Sequence, residues 1–279
     1  MKKTRSNDLF QYCLTSLNTF EKREKKAIVY VLLEDGYGIS KIDILLNKEI
    51  SIDFIKLDKQ LKQLHDKVPV QHVVGFTIFR NRKFFVSPDV LIPRPETEEI
   101  IDIIKEFGLD SPAVIDIGTG SGCIAISLAL ELNKPAINAL DISEKALAIA
   151  KKNATSLKAS VAFIKEDFLN HGPALIGVYD LVVSNPPYIK LEEAAKMDDN
   201  VLHHEPYIAL FVANEDPLIF YRHIAIYGRD NLKKGGHVVV EINAHFGKET
   251  KNLFESYGYS DVKLIEDFYQ KDRFVVAKM

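Results

Sequence analysis

From about Glu96 to the end of the chain, short apolar runs alternate with segments of helical periodicity. This alternation is typical of a mostly parallel sheet covered by helices. The last two apolar runs are separated by too few residues for a crossover helix, so we expect an antiparallel hairpin at the sheet edge. The pattern therefore predicts an α/β fold with seven strands: Ala113–Ile117, Ala136–Leu140, Val161–Lys165, Asp180–Ser184, His237–Ile242, Asp261–Glu266 and Arg273–Ala277.

Before this region the pattern is different. Residues 1–72 carry helical periodicity and few turn signals, which predicts a small N-terminal helical bundle. Residues 73–95 form a joint, in which alternation over Val73–Val86 predicts a β-hairpin and three prolines follow it. Residues 96–279 form the α/β domain. The apolar residues at helical spacing in the bundle include Leu57, Leu61, Leu64 and Val68, and also Ile42, Leu45 and Leu46.

Composition narrows the class of protein. The chain has 279 residues, of which 47% are hydrophobic and 27% charged, enough for sizeable cores in a soluble protein. A net charge of -3 argues against a generic electrostatic interaction with nucleic acid. The two distant cysteines, Cys13 and Cys123, indicate a reducing compartment and no structural zinc. No apolar run is long enough for a signal core or a membrane span, so we expect a cytoplasmic protein.

A glycine-rich turn follows the first predicted strand: Asp116-Ile117-Gly118-Thr119-Gly120-Ser121-Gly122. Glycines let the backbone turn tightly and approach a ligand, and the helix that starts next offers free N–H groups. A tight strand-to-helix turn without a ligand is the alternative. The flanking strand and helix favour a site for a nucleotide-like cofactor.

Acidic residues end the next two predicted strands. Asp141 lies about 20 residues after the glycines, where a carboxylate can accept hydrogen bonds from ribose hydroxyls. Its alternative role is to cap the next helix, although Ser143 suits that position better. Asp167 and Phe168 can contact an adenine amino group and ring, or they can be a helix cap beside a core phenylalanine. His203-His204 lacks the spacing of a metal site.

The fourth predicted strand runs directly into Asn185-Pro186-Pro187-Tyr188. Two prolines end the strand and stiffen the loop. The Asn185 amide, the Pro186 carbonyl and the Tyr188 ring can together accept hydrogen bonds from a planar NH2 group and stack on it. Asn-Pro alone is a common turn starter. Because the carboxyl ends of parallel strands share one sheet edge, we expect this loop, the glycines and the acidic residues to converge on one crevice.

With these residues in view, the chain resembles class I S-adenosylmethionine-dependent methyltransferases, whose cofactor motif matches Asp116–Gly122. The Asn-Pro-Pro-Tyr loop resembles that of enzymes that methylate a planar nitrogen, either adenine N6 or a glutamine amide. The stretches Pro69–Gly75 and Phe85–Glu98 are similar to the release factor glutamine N5-methyltransferases, and Glu205-Pro206 fits the same family. Two departures from its pattern are Asn243, after Glu241-Ile242, and the segment Asp267–Arg273.

The resemblance implies a Rossmann-like seven-stranded methyltransferase sheet and a protein-glutamine methyltransferase. It implies that class 1 peptide chain release factors are substrates and that residues 1–72 dock them. It implies neither a stable complex with nucleic acid nor an association with a membrane. It implies catalytic roles for Asn185, Pro186 and Tyr188, with Pro187 also in the substrate site. The implied S-adenosylmethionine site comprises Gly118, Thr119, Gly120, Ser121, Gly122, Asp141, Asp167, Phe168 and Asn185.

Two other functions stay open at this point. An adenine-N6 methyltransferase acting on DNA or RNA needs a base outside the duplex and normally a basic surface, against which the net charge argues. A binding module could keep the fold and the cofactor without the chemistry, against which the intact glycine turn and Asn185 argue.

Overall fold

The computed structural model describes residues 1–171 and 177–279, except the side chains of His171 and Lys196. These residues form two compact units. The first comprises Met1–Phe76 with Asp198–His204, and the second comprises Thr77–Met197 with Glu205–Met279. Each unit has its own buried apolar core.

The described elements are as follows in chain order. The helices are α1 (Ser6–Ser16), α2 (Lys22–Tyr37), α3 (Lys41–Leu45), α4 (Phe54–His65), α5 (Val70–Val74), α6 (Glu99–Lys105), α7 (Cys123–Glu131), α8 (Glu144–Leu157), α9 (Phe168–His171), α10 (Asp199–His204), α11 (Tyr207–Leu210), α12 (Ile219–Asn231) and α13 (Gly247–Ser256). The strands are β1 (Lys2–Arg5), β2 (Glu49–Ile52), β3 (Phe76–Phe79), β4 (Arg82–Phe85), β5 (Ala113–Ile117), β6 (Ala136–Asp141), β7 (Ala162–Lys165), β8 (Tyr179–Ser184), β9 (Ile189–Lys190), β10 (Phe211–Val212), β11 (Leu232–Glu241), β12 (Ser260–Glu266) and β13 (Asp272–Lys278). Short 3-10 helices span Glu96–Glu98, Leu191–Lys196 and Ala244–Phe246.

The first unit is largely helical. In α4, Leu57, Leu61 and Leu64 are buried on one face, as their spacing predicts. Asp53 caps this helix by accepting hydrogen bonds from the backbone of the first turn. The unit also contains an antiparallel pair, β1 and β2, that the sequence does not predict. Because β1 reads Lys-Lys-Thr-Arg, it has no apolar alternation, and its pairing depends on backbone hydrogen bonds that leave no sequence pattern.

The predicted buried face of α3 is wrong. Ile42, Leu45 and Leu46 are 66%, 83% and 63% exposed, and Ile44 is the residue of this helix that reaches the core. The helix has only five residues and begins with a capping box between Ser40 and Asp43. A helix of five residues is too short for apolar spacing to define a buried face.

The predicted hairpin is present as β3 and β4, but it begins later than Val73. Val73 and Val74 belong to α5, which ends at Gly75 in a left-handed conformation, so the first strand starts at Phe76. Arg80 and Asn81 form the turn with φ of 50° and 56°. Two positive φ values in succession match the twist that a two-residue hairpin needs.

The second unit contains the predicted seven-stranded sheet, in the order β12-β13-β11-β8-β5-β6-β7. Strands β5, β6, β7, β8 and β11 are parallel, whereas β13 is antiparallel to both β11 and β12. The α/β fold and its terminal antiparallel hairpin are therefore confirmed. Successive residues of each central strand face opposite cores, one packed against α6 and α7 and the other against α12 and α13.

A ten-residue helix of this unit, α13, is not predicted by the sequence pattern. It lies between β11 and β12, and only Gly247, Thr250 and Phe254 among its residues are buried. Its two large apolar side chains, Leu253 and Phe254, are adjacent in the sequence, which is too weak a signal for a periodicity argument. Within the described parts of the chain, no helix is long and apolar enough to cross a membrane.

Candidate active site

The glycine-rich turn is attached to the neighbouring strand by backbone hydrogen bonds. Gly118 N and Thr119 N both donate to the carbonyl of Leu140 at the end of β6, at 2.9 Å. Gly122 is the N-cap of α7 and has φ of 81°. The turn therefore ends with the first N–H groups of α7 at the carboxyl edge of the sheet, where an anionic or polar ligand group can be bound.

Asp141 organises the same edge. Its Oδ2 accepts a hydrogen bond from Gly120 N at 2.9 Å, and its Oδ1 accepts one from Ser143 N at 2.8 Å. Burial raises the pKa of Asp141, although these backbone donors oppose the rise. Ser143, as predicted, caps α8 by accepting from Ala146 N. Asp141 is therefore available to a ligand through its remaining lone pairs.

A second carboxyl group lies beneath the turn. Asp116 in β5 is fully buried and accepts a hydrogen bond from the Thr119 hydroxyl at 2.6 Å. Burial raises the pKa of Asp116 to about 7, against the effect of that hydrogen bond. The side chain therefore links the strand to the glycine turn from inside the core.

Asp167 and Phe168 lie at the end of β7 and show features of both predicted roles. The Asp167 carboxylate accepts hydrogen bonds from Asn170 N and Asn170 Nδ2, as a helix cap does. The Phe168 ring is buried and contacts the Tyr227 ring edge-on at 5.6 Å between centroids. Both residues also line the cavity described below. Their contact with an adenine ring stays a prediction.

The Asn-Pro-Pro-Tyr loop leaves the sheet at Ser184, whose hydroxyl donates to the Ile117 carbonyl at 2.6 Å. Asn185 Nδ2 donates to Thr97 Oγ1 at 3.4 Å. The Tyr188 hydroxyl donates to Glu241 Oε1 at 3.0 Å, and Asn243 Nδ2 donates to the Tyr188 carbonyl at 3.3 Å. Burial, together with the Glu241 charge, raises the pKa of Tyr188, so this hydroxyl stays protonated and acts as a donor.

These elements surround one cavity of about 490 Å³ at the carboxyl edge of the sheet. The predicted residues that line it are Gly118, Thr119, Gly120, Ser121, Asp141, Asp167, Phe168, Asn185, Pro186 and Pro187. Two predicted residues lie behind its wall. Gly122 packs against α8 and Tyr188 packs into the core with its hydroxyl on Glu241. The geometry gives Tyr188 an anchoring contact to Glu241. Its predicted stacking on the substrate stays a prediction.

Several cavity residues were not assigned a role from sequence. Arg94 lines the cavity, and its Nη2 donates to Glu205 Oε1 at 2.7 Å. Glu205 is buried, and its other oxygen accepts from Ile92 N at 3.1 Å. Thr97 also lines the cavity, and Glu241 lies directly behind it. The motifs around these residues supported the family resemblance, but nothing in their spacing indicated which side chains would meet.

The chemistry available in the cavity is positioning by hydrogen bonds. Its cysteine, Cys123, has a pKa raised to about 12 by burial, so it is a neutral thiol rather than a nucleophile. Among the described residues, no group of three or more histidine, cysteine or acidic side chains is placed to bind a metal ion. His204, in the first unit, has its Nε2 atom 3.2 Å from the Asp66 carbonyl.

Comparison with known proteins shows which families this chain is similar to. A sequence model described as "Methyltransferase small domain" matches residues 99–204. A release factor glutamine methyltransferase of Bacteroides thetaiotaomicron is 42% identical over 275 residues, which cover 97% of this chain and 99% of that protein. A protein of the same name from Flavobacterium psychrophilum is 39% identical and covers 95% of both chains. A crystal structure of a methyltransferase from Pyrococcus furiosus shares the fold, with a TM-score of 0.54 at 18% identity over 79% of this chain and 98% of that one.

Proposed function

The chain belongs to the family of release factor glutamine methyltransferases, and we propose that it methylates the glutamine of the Gly-Gly-Gln motif in class 1 peptide chain release factors. The methyl group comes from S-adenosylmethionine and is transferred to the side-chain amide nitrogen, N5. The observation that carries this proposal is the presence of Asn185, Pro186 and the glycine turn in one cavity.

The donor set of the cavity fits S-adenosylmethionine. The Asp141 carboxylate, fixed by two backbone N–H groups, can accept hydrogen bonds from the ribose hydroxyls. The glycine turn lets backbone approach a ligand closely. Asp167 and Phe168 line the same cavity, and a carboxylate and an aromatic ring can contact the amino group and the ring of adenine. When bound, S-adenosylmethionine supplies an electrophilic methyl group on a sulfonium.

The target nitrogen is a weak nucleophile because its lone pair is delocalised into the amide carbonyl. Two acceptors on the loop, Asn185 Oδ1 and the Pro186 carbonyl, can bind its two N–H groups and orient the lone pair toward the methyl group. The same acceptors stabilise the positive charge that develops on the nitrogen as the N–C bond forms and the C–S bond breaks. On accepting the methyl group the nitrogen would release one of its two protons to water, and the electron pair of the C–S bond would stay on the donor sulfur.

The first unit is suited to contact the rest of a release factor. Its surface exposes four large aliphatic side chains, each between 63% and 86% exposed: Ile42, Leu45, Leu46 and Ile55. Three of them, Ile42, Leu45 and Leu46, lie within five residues of the chain. A contiguous exposed apolar patch is a feature of protein-binding surfaces. We therefore assign residues 1–72 to docking of the protein substrate, residues 73–95 to the joint and residues 96–279 to catalysis, with a release factor rather than a nucleic acid as partner, in the cytoplasm.

The direct test is to incubate the protein with S-adenosylmethionine and a purified release factor, and to map methyl groups by mass spectrometry. We expect one methyl group on the glutamine of the Gly-Gly-Gln motif. A release factor in which this glutamine is replaced is the substrate control. Methyl transfer to DNA or RNA, with none to the glutamine, would replace this function by the adenine-N6 alternative.

Asn185→Ala tests the mechanism. Removing one preorganised hydrogen-bonding group from a transition state costs about 100-fold or more in kcat. We expect that loss in Asn185→Ala while S-adenosylmethionine still binds. Asn133→Ala is the matched control, because Asn133 is exposed and bonds to Asp110 outside the cavity. Equal turnover in the two variants would remove the amide-binding step.

A further inference from the structure

A buried carboxylate lies behind the Asn-Pro-Pro-Tyr loop. Glu241, at the end of β11, is 1% exposed. Its Oε2 accepts a hydrogen bond from the Thr97 hydroxyl at 2.6 Å, and its Oε1 accepts one from the Tyr188 hydroxyl at 3.0 Å. One carboxylate therefore contacts both ends of the loop, Tyr188 directly and Asn185 through Thr97. None of these contacts was assigned a role from the sequence.

The hydrogen bonds in this group have a defined direction. The Thr97 hydroxyl has a single proton, and at 2.6 Å that proton is donated to the Glu241 carboxylate. The Thr97 oxygen is then an acceptor toward Asn185, whose Nδ2 lies 3.4 Å away. If the Asn185 amide were rotated by half a turn, two oxygen acceptors would face each other without a proton between them.

From the direction of these hydrogen bonds we propose that Thr97 and Glu241 are positioning residues that fix the orientation of the Asn185 amide. With NH2 held toward Thr97, the carbonyl oxygen of Asn185 is presented as the acceptor for the substrate N–H group. The inference rests on the proposed function, since the orientation matters for catalysis only if an amide NH2 is the target.

The burial of the group supports a fixed orientation. Thr97 is 2% exposed, so water does not compete for its hydroxyl. Burial raises the pKa of Glu241, while the hydroxyl donors Thr97 and Tyr188 and the charge of Arg273 oppose that rise. Arg273 is itself held by Asp267, to which its Nε donates at 3.0 Å. The carboxyl group of Glu241 thus has a hydroxyl donor on each oxygen and a cation nearby.

The kinetic test compares Thr97→Val with Thr97→Ser. Valine keeps the shape and removes the hydroxyl, whereas serine keeps the hydroxyl. We expect Thr97→Val to lower kcat by about 10- to 100-fold, with little change in the KM for the release factor or the Kd for S-adenosylmethionine. Thr97→Ser retains most of kcat. Equal losses in both variants, or no loss in Thr97→Val, would overturn the positioning role.

A second measurement is independent of turnover and uses the wild-type full chain. The side-chain NH2 resonances of Asn185 are identified by their disappearance in Asn185→Asp. We expect nuclear Overhauser contacts from these protons to the Thr97 side chain and slow exchange with water. An NH2 group without such contacts and in rapid exchange would refute the orientation, even if Thr97→Val does not fold.

The two experiments separate the inference from the function that it rests on. Absence of methyl transfer by the wild-type protein counts against the proposed function, and the NMR contacts still decide the orientation. Normal transfer by Thr97→Val leaves the proposed function intact and removes the inference alone.

Discussion

Replacing Gly122 by alanine should destabilise the second unit, and the structure gives the size of the effect. At φ of 81°, a side chain costs about 1–2 kcal/mol in backbone strain. The new Cβ would also lie 2.9 Å from Ile126 Cδ1, 3.2 Å from Ala150 Cβ and 3.4 Å from Ala150 Cα. The Ile126 methyl group can rotate away, but Ala150 Cβ is fixed to the backbone of α8. Relief of the 3.2 Å contact therefore requires that helix to move slightly, and overpacking of this kind costs about 1–3 kcal/mol. The expected loss is about 2–5 kcal/mol.

Gly120→Ala is the matched control, two residues earlier in the same turn. Its φ is 55°, and a Cβ there would meet nothing within 4 Å of the protein. Its stability loss should therefore be limited to about 1–2 kcal/mol of strain. Gly120 lines the cavity, so the added methyl group should instead interfere with the ligand. We expect at least about tenfold weaker binding of S-adenosylmethionine, equivalent to about 1.4 kcal/mol.

The assays are urea unfolding followed by circular dichroism, and calorimetric titration with S-adenosylmethionine. Gly122→Ala should show the larger fall in the urea midpoint of unfolding. Gly120→Ala should show a loss of affinity for S-adenosylmethionine that is large compared with its own loss of stability. If Gly122→Ala were no less stable than Gly120→Ala, the contact with α8 would not be the reason for glycine at this position.

Two further predictions concern Asp116 and Asn243. The pKa of Asp116 is raised from 3.8 to about 7, so between these pH values the native state retains a proton that the unfolded state loses. The free energy of unfolding therefore falls by about 4 kcal/mol as pH rises through this range. Asp116→Asn should flatten this fall in urea unfolding measured between pH 4 and pH 8, and an unchanged slope would assign the pH dependence to other groups. Asn243 donates to the Tyr188 carbonyl at 3.3 Å and caps the following turn through His245 N at 3.0 Å. Asn243→Gly should lower stability by about 1 kcal/mol, read as a shift in melting temperature, and an unshifted melting temperature would show that neither bond contributes.

Much of the second unit follows from local pattern. The strands around the site are short apolar runs with turn signals at their ends, and these features act over a few residues. The parallel order then places Gly118, Asp141 and Asn185 at one sheet edge, because strand ends of parallel strands coincide there. Among the elements that the sequence does not predict, β1 and α13 have few apolar residues, and tertiary contacts rather than their own pattern stabilise them.

The sequence by itself therefore determined the α/β fold, the glycine turn and the stiff Asn-Pro-Pro-Tyr loop, together with the family that their combination resembles. Only the tertiary structure decided which side chains meet behind that loop. Thr97 and Glu241 are 144 residues apart in the chain, and their hydrogen bond is set by the packing of separate elements. The Tyr188 hydroxyl likewise meets Glu241, 53 residues away, because the Tyr188 ring packs against the core beside β11. Periodicity predicts which face of an element is buried, but it does not predict which partner a buried polar group hydrogen-bonds to.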